Sequence, residues 1–161
     1  MKILVTIGTM TEKKFTRLFQ CIDRLCEEGI LNGEEIIAQV GEDKYVSKYY
    51  KCIDMLSREE FNSLIETMDV VISHAGTGSV ISCLKAKKKV IIFPRQSIYD
   101  EHYDDHQLEL ADIFVKKGYA LAALTYEELK QCIMNINEFT PVQFHSNNKK
   151  MMDLICEFIE K

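Results

Sequence analysis

The feature that most constrains this chain is a repeated alternation of short apolar, β-branched runs with stretches of helical periodicity. Residues 2–7 (KILVTI) and 69–73 (DVVIS) have the continuous apolar composition of strands buried on both faces, and residues 89–93 form another such run, ended by Pro94. Between the first two runs, apolar residues recur at helical spacing from Phe15 to Cys26. This alternation predicts an α/β fold: a Rossmann-like parallel sheet with helices on both faces and right-handed crossovers.

Shorter elements complete the predicted order. Capping boxes that begin at Ser57 and Thr125 each predict the start of a helix. Further strands are predicted at 36–40, 52–55 and 119–122, with further helices over 104–117 and about 146–160. Because the sequence has no repeat, linker or low-complexity tract, its 161 residues are expected to form a single domain.

Composition excludes several functional classes. The formal net charge of −5 does not favour binding to nucleic acid or to an anionic membrane surface. No stretch approaches the roughly 20 apolar residues of a membrane span, and the N-terminal run lacks the cleavage site of a signal peptide. The six cysteines form no C-x-x-C pair and fall at apolar positions, which is typical of reduced thiols in a cytoplasmic protein.

Ligands of parallel α/β sheets bind at the carboxyl ends of the strands, and the first loop predicted there begins with Gly8 and Thr9. Glycine lets the backbone approach a ligand closely, and a hydroxyl can donate to a phosphate oxygen. The alternative interpretation is a tight turn in which Thr11 caps the next helix. The loop alone does not decide between the two.

The second loop, Ser73-His-Ala-Gly-Thr-Gly-Ser79, joins a buried strand to a helix. Its glycines, hydroxyls and free N–H groups at a helix start favour an anion site suited to a pyrophosphate. A structural alternative is a simple turn with Ser79 as the helix cap. Gly76-x-Gly78 also permits a weak NADP interpretation that uses Arg95, but the third fingerprint position is Ile81 rather than a small residue.

The third loop runs from residue 93 to 107 and is dense in carboxylates, His, Tyr and Gln, the side chains that bind sugar hydroxyls. The alternative is a solvated acidic loop that interacts favourably with a helix N-terminus. His102 and His106 are four residues apart, as metal ligands on one helix face can be, and nearby carboxylates could complete a metal site. Because this is not an H-E-x-x-H motif and no third ligand is specified, no metal is expected.

These three loops together carry a family resemblance. VTIGT, DVVISHAGTGSV and IIFPR…DEHYDDHQLELA resemble the donor-binding C-terminal half of GT-B glycosyltransferases of family 28. The chain is most similar to stand-alone versions of that half. These are the small subunits of bacterial capsule and exopolysaccharide glycosyltransferases and of the eukaryotic dolichol-linked N-acetylglucosaminyltransferase. The stretch from 95 to 111 is closer to the bacterial capsular type.

The resemblance implies roles for individual residues. The residues implied to bind UDP and its diphosphate are Gly8, Thr9, Ser73, His74, Gly76, Thr77, Gly78 and Ser79. The residues implied to bind the sugar are Arg95, Asp105, His106 and Gln107. One position departs from the family: many relatives carry a ribose-binding Glu where this chain has Ser82. Ribose binding would then be weaker, mediated by water, or supplied by another residue.

The implied reaction is inverting transfer of a hexose from a UDP-sugar to a lipid-linked acceptor in cell-surface polysaccharide synthesis. No metal or cofactor is expected, since oriented N–H groups stabilise the leaving UDP. The catalytic base and the acceptor site are expected on a membrane-associated partner subunit, which the predicted final helix would help to dock. The isolated subunit is a candidate for self-association. An NADP-binding protein and a non-catalytic UDP-binding regulatory subunit are the alternatives.

Overall fold

A six-stranded parallel sheet forms the centre of the computed structural model, which describes residues 1–9 and 12–145. The strands are β1 (Ile3–Thr6), β2 (Ile36–Gln39), β3 (Lys51–Ile53), β4 (Val70–Ser73), β5 (Lys89–Ile92) and β6 (Leu121–Ala122). The helices are α1 (Thr16–Glu27), α2 (Arg58–Glu66), α3 (Thr77–Lys85), α4 (His106–Lys116) and α5 (Tyr126–Met134). The predicted Rossmann-like α/β fold is confirmed.

The strand order is β3-β2-β1-β4-β5-β6. Strands β2 and β3 therefore extend the sheet on one side of β1, and β4, β5 and β6 extend it on the other side. The carboxyl ends of the central strands are in register: Thr6 of β1 pairs with Ser73 of β4, which pairs with Ile92 of β5. This topology places the loops that follow β1, β4 and β5 side by side. A reversal of strand order of this kind is where doubly wound sheets bind ligands.

Both faces of the sheet are covered, which explains the uninterrupted apolar runs of the central strands. Alternate residues of β1 point to opposite sides: Ile3 and Val5 pack beneath α1 and α5, whereas Leu4 packs beneath α2, α3 and α4. All four residues of β1 and all four of β4 are buried. Roughly 25 cal/mol is gained for each Å² of apolar surface removed from water, so this double covering is the main stabilising term.

Two predicted helix starts are confirmed as complete capping boxes. In α2, the Ser57 hydroxyl accepts from the Glu60 amide and the Glu60 carboxylate accepts from the Ser57 amide. Thr125 and Glu128 do the same for α5. Each such cap stabilises a helix by about 1 kcal/mol.

Several predicted boundaries move by one or two residues. Helix α4 begins at His106 rather than at 104, because residues 100–105 form a loop held by side-chain contacts. Strand β6 contains only Leu121 and Ala122. The final helix predicted over about 146–160 lies outside the described residues. Within 1–9 and 12–145, no helix combines the length and the apolar character needed to cross a membrane.

The cysteines among the described residues are all free thiols, as the sequence predicted. Cys83 lies on the buried face of α3, and this burial raises the pKa of its thiol to about 12. Burial likewise raises the pKa of Cys26 to about 11. These thiols stay protonated at neutral pH and pack as small apolar groups.

Candidate functional site

The loops that follow β1, β4 and β5 meet at the carboxyl edge of the sheet. The amide of His74 donates to the Thr6 carbonyl (3.2 Å), and the amide of Phe93 donates to the Ser73 carbonyl (2.8 Å). These bonds continue the sheet ladder one residue beyond the strands. The three loops are therefore positioned by the sheet itself, and they form one candidate site.

The imidazole ring of His74 lies between Gly8 and Gly76 at the centre of this site. A Cβ atom at Gly8 would lie 2.5 Å from His74 Cε1, and one at Gly76 would lie 2.6 Å from the same atom and closer still to Nε2. Gly8 also has a φ of +71°, which side chains other than that of glycine rarely adopt. The sequence attributed both glycines to ligand approach, whereas in the structure each one also leaves room for the His74 ring.

Burial makes His74 a neutral part of the site. Its side chain is 9% exposed, and this burial, together with the nearby Arg95 guanidinium, lowers the pKa of His74 to about 4. The imidazole is therefore uncharged at neutral pH. Its Nδ1 atom is buried and has no hydrogen-bond partner among the described residues. His74 thus helps to shape the site and contributes the polar edge of its ring, but it carries no positive charge there.

Helix α3 presents an uncapped N-terminus directly after this loop. Gly76 occupies the N-cap position and provides no side-chain hydrogen bond, in contrast to the capping boxes of α2 and α5. The amides of Thr77, Gly78 and Ser79 are the first three of the helix and have no intrahelical acceptor. Thr77 and Gly78 are exposed. Free N–H groups at the positive end of a helix dipole can bind an anionic ligand.

The helix-capping alternatives for the first two loops do not hold in the structure. Ser79 is the third residue of α3 and does not cap it, because Gly76 holds that position. Phe15 rather than Thr11 occupies the N-cap position of α1. Helix capping therefore does not explain why these two loops contain hydroxyl residues.

Two serines of the region use their hydroxyls within the protein. Ser73 is fully buried, and its Oγ donates to the His74 carbonyl (2.8 Å). Ser82 Oγ donates to the Gly78 carbonyl one turn earlier in α3 (2.9 Å). Ser73 therefore lies behind the surface that the neighbouring loop residues form, and its nucleotide-binding role stays a prediction.

Arg95 is fully buried and links the loops of the site through hydrogen bonds. Its guanidinium donates to the carbonyls of Lys13 (2.8 Å) and Glu101 (3.1 Å), and its amide donates to Gln107 Oε1 (3.0 Å). Gln107 is also buried. An arginine without exposed surface cannot bind the 2′-phosphate of NADP, so this position does not support the NADP alternative. Arg95 therefore lies behind the exposed residues of the site, and its sugar-binding role stays a prediction.

A partly buried ion pair between α1 and the third loop, which no sequence pattern indicated, holds that loop in place. Arg17 Nε and Nη2 donate to the two carboxylate oxygens of Glu101 (2.7 and 2.8 Å), and Glu101 is buried. Arg17 also donates to the carbonyls of Pro94 (3.0 Å) and Leu124 (2.8 Å). The two partners are 84 residues apart, so no local sequence pattern pairs them.

The remaining predicted sugar-binding residues lie at the start of α4, where Asp105 and His106 are exposed and Gln107 is buried. Asp105 Oδ1 accepts from the Ser97 amide (2.8 Å), and the exposed His106 is the first residue of the helix. Asp104 Oδ1 contacts the Nδ1 atoms of both His102 and His106. Among the described residues, Gln107 Nε2 makes no hydrogen bond, so it is a donor available to a ligand. The sugar-binding roles of these residues stay predictions.

Comparison with known proteins gives one family. A family model described as the glycosyltransferase family 28 C-terminal domain matches residues 2–157. The UDP-N-acetylglucosamine transferase subunit ALG13 of Debaryomyces hansenii is 34% identical over 142 residues, which make up 81% of this chain and 65% of that protein. The protein of the same name from Candida albicans is 33% identical over 118 residues, or 62% of this chain and 39% of that one. The chain thus matches between 39% and 65% of the length of these relatives.

Solved structures agree with this result. An NMR solution structure of ALG13 superimposes with a TM-score of 0.63 at 25% identity, covering 99% of this chain and 97% of that one. The UDP-GlcNAc 2-epimerase of Methanocaldococcus jannaschii, solved with UDP-GlcNAc and UDP, gives a TM-score of 0.66 at 14% identity and covers 99% of this chain and 45% of that one. At that level of identity, the epimerase shows a shared fold alone.

Proposed function

The chain belongs to the family of glycosyltransferase family 28 C-terminal domains, and from this membership we propose that it is the donor-binding subunit of a UDP-sugar glycosyltransferase. The observation that carries the proposal is the uncapped N-terminus of α3, which lies beside Gly8 where the strand order reverses between β1 and β4. Both features suit a diphosphate.

The diphosphate of UDP would bind the free amides of Thr77, Gly78 and Ser79, with Gly8 and Thr9 on the opposite side. Negative charge grows on UDP as the bond to the sugar breaks, and N–H dipoles that are already oriented stabilise this charge at little reorganisation cost. No divalent ion is required for that step in our proposal. The neutral His74 ring supports the floor of the site and offers a polar edge.

The sugar of the donor would lie against the start of α4. Asp105 and His106 are exposed there, and Gln107 keeps its Oε1 for the Arg95 amide, which leaves its Nε2 as the donor available to a hydroxyl. We propose N-acetylglucosamine as the sugar, because the matched relatives are named UDP-N-acetylglucosamine transferase subunits. Replacement of His106 by Ala should weaken binding of the UDP-sugar much more than binding of UDP.

The reaction would need a second subunit. The matched relatives are named as subunits of a transferase. We place the general base and the lipid-linked acceptor on a membrane-associated partner, with this chain on the cytoplasmic side and inversion at the anomeric carbon. Synthesis of a cell-surface polysaccharide such as a capsule is the context we propose. The chain alone should then bind donor and transfer no sugar, and addition of the partner should restore transfer.

A thermal-shift panel tests the proposal with UDP, UDP-N-acetylglucosamine, UDP-glucose, UDP-galactose and NADPH, each in the presence of EDTA. A ligand at a hundredfold its dissociation constant stabilises a protein by about 2.7 kcal/mol. We expect UDP and UDP-N-acetylglucosamine to stabilise the chain and NADPH to have no effect. Stabilisation by NADPH alone would refute the proposal. Binding of UDP by a chain whose removal leaves its partner fully active would instead indicate a regulatory subunit.

A further inference from the structure

Three potential metal ligands converge in the loop that leads into α4. His102, Asp104 and His106 form an H-x-D-x-H sequence, and their ligand atoms all lie within 4.8 Å of one another. Asp104 Oδ1 lies 3.0 Å from His102 Nδ1 and also contacts His106 Nδ1. The two imidazole rings meet edge to face, with centroids 4.6 Å apart. Asp104 is the third ligand that the sequence analysis did not identify.

The contact between His102 and Asp104 requires an atom between them. Asp104 Oδ1 lies 3.0 Å from His102 Nδ1, whereas the Asp104 amide makes only a long contact of 3.3 Å with the same nitrogen. At 3.0 Å, either a proton or a metal ion must lie between the carboxylate oxygen and the ring nitrogen. Because Nδ1 has a single lone pair, a metal ion bound there would replace the long amide contact. Interaction of Asp104 with the helix N-terminus would account for the carboxylate but not for His102.

We propose that His102, Asp104 and His106 bind a divalent transition-metal ion, with Zn²⁺ as the best match. Two imidazole nitrogens and one carboxylate oxygen suit Zn²⁺ and neighbouring borderline ions, whereas Mg²⁺ and Ca²⁺ prefer oxygen ligands throughout. Three protein ligands leave a fourth position open to water or another ligand. His102 is held in place, with a side chain only 9% exposed, and the more exposed Asp104 and His106 give the ion access.

Calorimetric titration of the purified, EDTA-treated chain with Zn²⁺ tests the site. We expect one ion per chain, and affinity about tenfold weaker or worse in His102→Ala and in Asp104→Asn, since loss of an outer-shell partner alone typically costs that much. His145→Ala is the matched control, because it removes an exposed histidine outside the cluster. The variants should unfold at the same midpoint as the parent chain in EDTA. Equal affinity in all four proteins would overturn the proposal.

Cysteine thiolates also bind Zn²⁺, and the chain contains six cysteines. Titration with Co²⁺ separates the two kinds of site, since only thiolate ligands give an intense sulfur-to-cobalt charge-transfer band in the near ultraviolet. We expect visible d–d bands without that charge-transfer band, and loss of the d–d bands in His102→Ala. A strong charge-transfer band that survives in His102→Ala would assign the ion to the thiols and refute the His-Asp-His site.

A consequence of this site rests on the proposed function, in which His106 binds the donor sugar. A metal ion on His106 would compete with the sugar, so saturating Zn²⁺ should lower the affinity for UDP-N-acetylglucosamine and leave the affinity for UDP unchanged. Measurement of Zn²⁺ affinity without nucleotide keeps the two claims separate. If Zn²⁺ binds and the UDP-sugar affinity does not change, the metal site stands and the sugar role of His106 fails.

Discussion

Replacement of Gly76 by Ala tests whether the His74 ring shapes the candidate site. Gly76 has φ −65° and ψ 115°, values that alanine adopts without strain, so any cost must come from packing. The new methyl group would lie 2.6 Å from His74 Cε1, whereas ordinary contact begins at 3.4 Å. The ring would have to move by about 1 Å, and it is buried with Gly8 also close to it. Overpacking of this kind destabilises a protein by about 1–3 kcal/mol.

Gly78→Ala is the matched control, since it adds the same methyl group two residues later in α3. Apart from its chain neighbours and the backbone of its own helix, no atom of the described residues lies within 4 Å of the Cβ position at Gly78. Alanine is favoured over glycine in helices by up to about 1 kcal/mol, so this variant should be as stable as the parent chain or slightly more stable. The double variant Gly76→Ala with His74→Ala removes the colliding ring and should recover most of the loss caused by Gly76→Ala.

Urea denaturation of the parent chain and of these variants, with His74→Ala included, gives the free energies of unfolding needed for a double-mutant cycle. We expect a coupling of about 1–3 kcal/mol between positions 74 and 76, in the direction that relieves the collision. Equal stability of Gly76→Ala and Gly78→Ala would show that the His74 ring does not obstruct a side chain at position 76. A cost of Gly76→Ala that persists when residue 74 is alanine would show the same.

Three further predictions follow from charges and burial. Thr77→Glu places a carboxylate at the open start of α3, where it would repel the diphosphate. Calorimetry should show an affinity for UDP about tenfold weaker or worse, with an unchanged unfolding midpoint. Unchanged affinity would place the diphosphate elsewhere. Arg17→Ala removes the cation beside the buried Glu101 carboxylate and leaves the Gln96 amide as a remaining donor to it. The loss should cost about 3–5 kcal/mol in urea unfolding, and a cost below about 1 kcal/mol would contradict the importance of this ion pair. Because the pKa of His74 falls from 6.5 to about 4 on folding, only the unfolded state gains a proton as pH drops below 6.5. Stability should therefore fall by about 2 kcal/mol between pH 7 and pH 5, and His74→Leu should show a shallower decline in the same titration.

The fold could be predicted from the sequence because its determinants are local. A strand buried on both faces needs a continuous apolar run, as at 69–73. A helix that begins with a capping box, as at Ser57, can be recognised from four consecutive residues. The start of α4 was harder to place. Residues 100–105 are held by contacts such as that of Asp105 with the Ser97 amide, and no periodicity encodes these contacts.

The candidate site was predicted only in part, because several of its residues act through partners that are distant in the sequence. Polar Arg95 in a loop suggested a ligand contact, yet its guanidinium binds the carbonyl of Lys13, 82 residues away. The glycines on either side of His74 suggested ligand approach, and the structure shows that each also makes room for the ring. The sequence shows that a glycine or a polar residue stands at an unexpected position. Only the tertiary structure shows which neighbouring residue it contacts or makes room for.

A ¹H–¹⁵N correlation NMR titration of the chain with UDP, in the presence of EDTA, tests directly whether the diphosphate binds at the start of α3. We expect the largest shifts on the amides of Gly8 and Thr9 and on those of Thr77, Gly78 and Ser79. We also expect the start of α4 to respond further when UDP-N-acetylglucosamine replaces UDP. If saturating UDP leaves the α3 amides unshifted, or if the shifts are confined to another edge of the sheet, donor binding at this site is excluded.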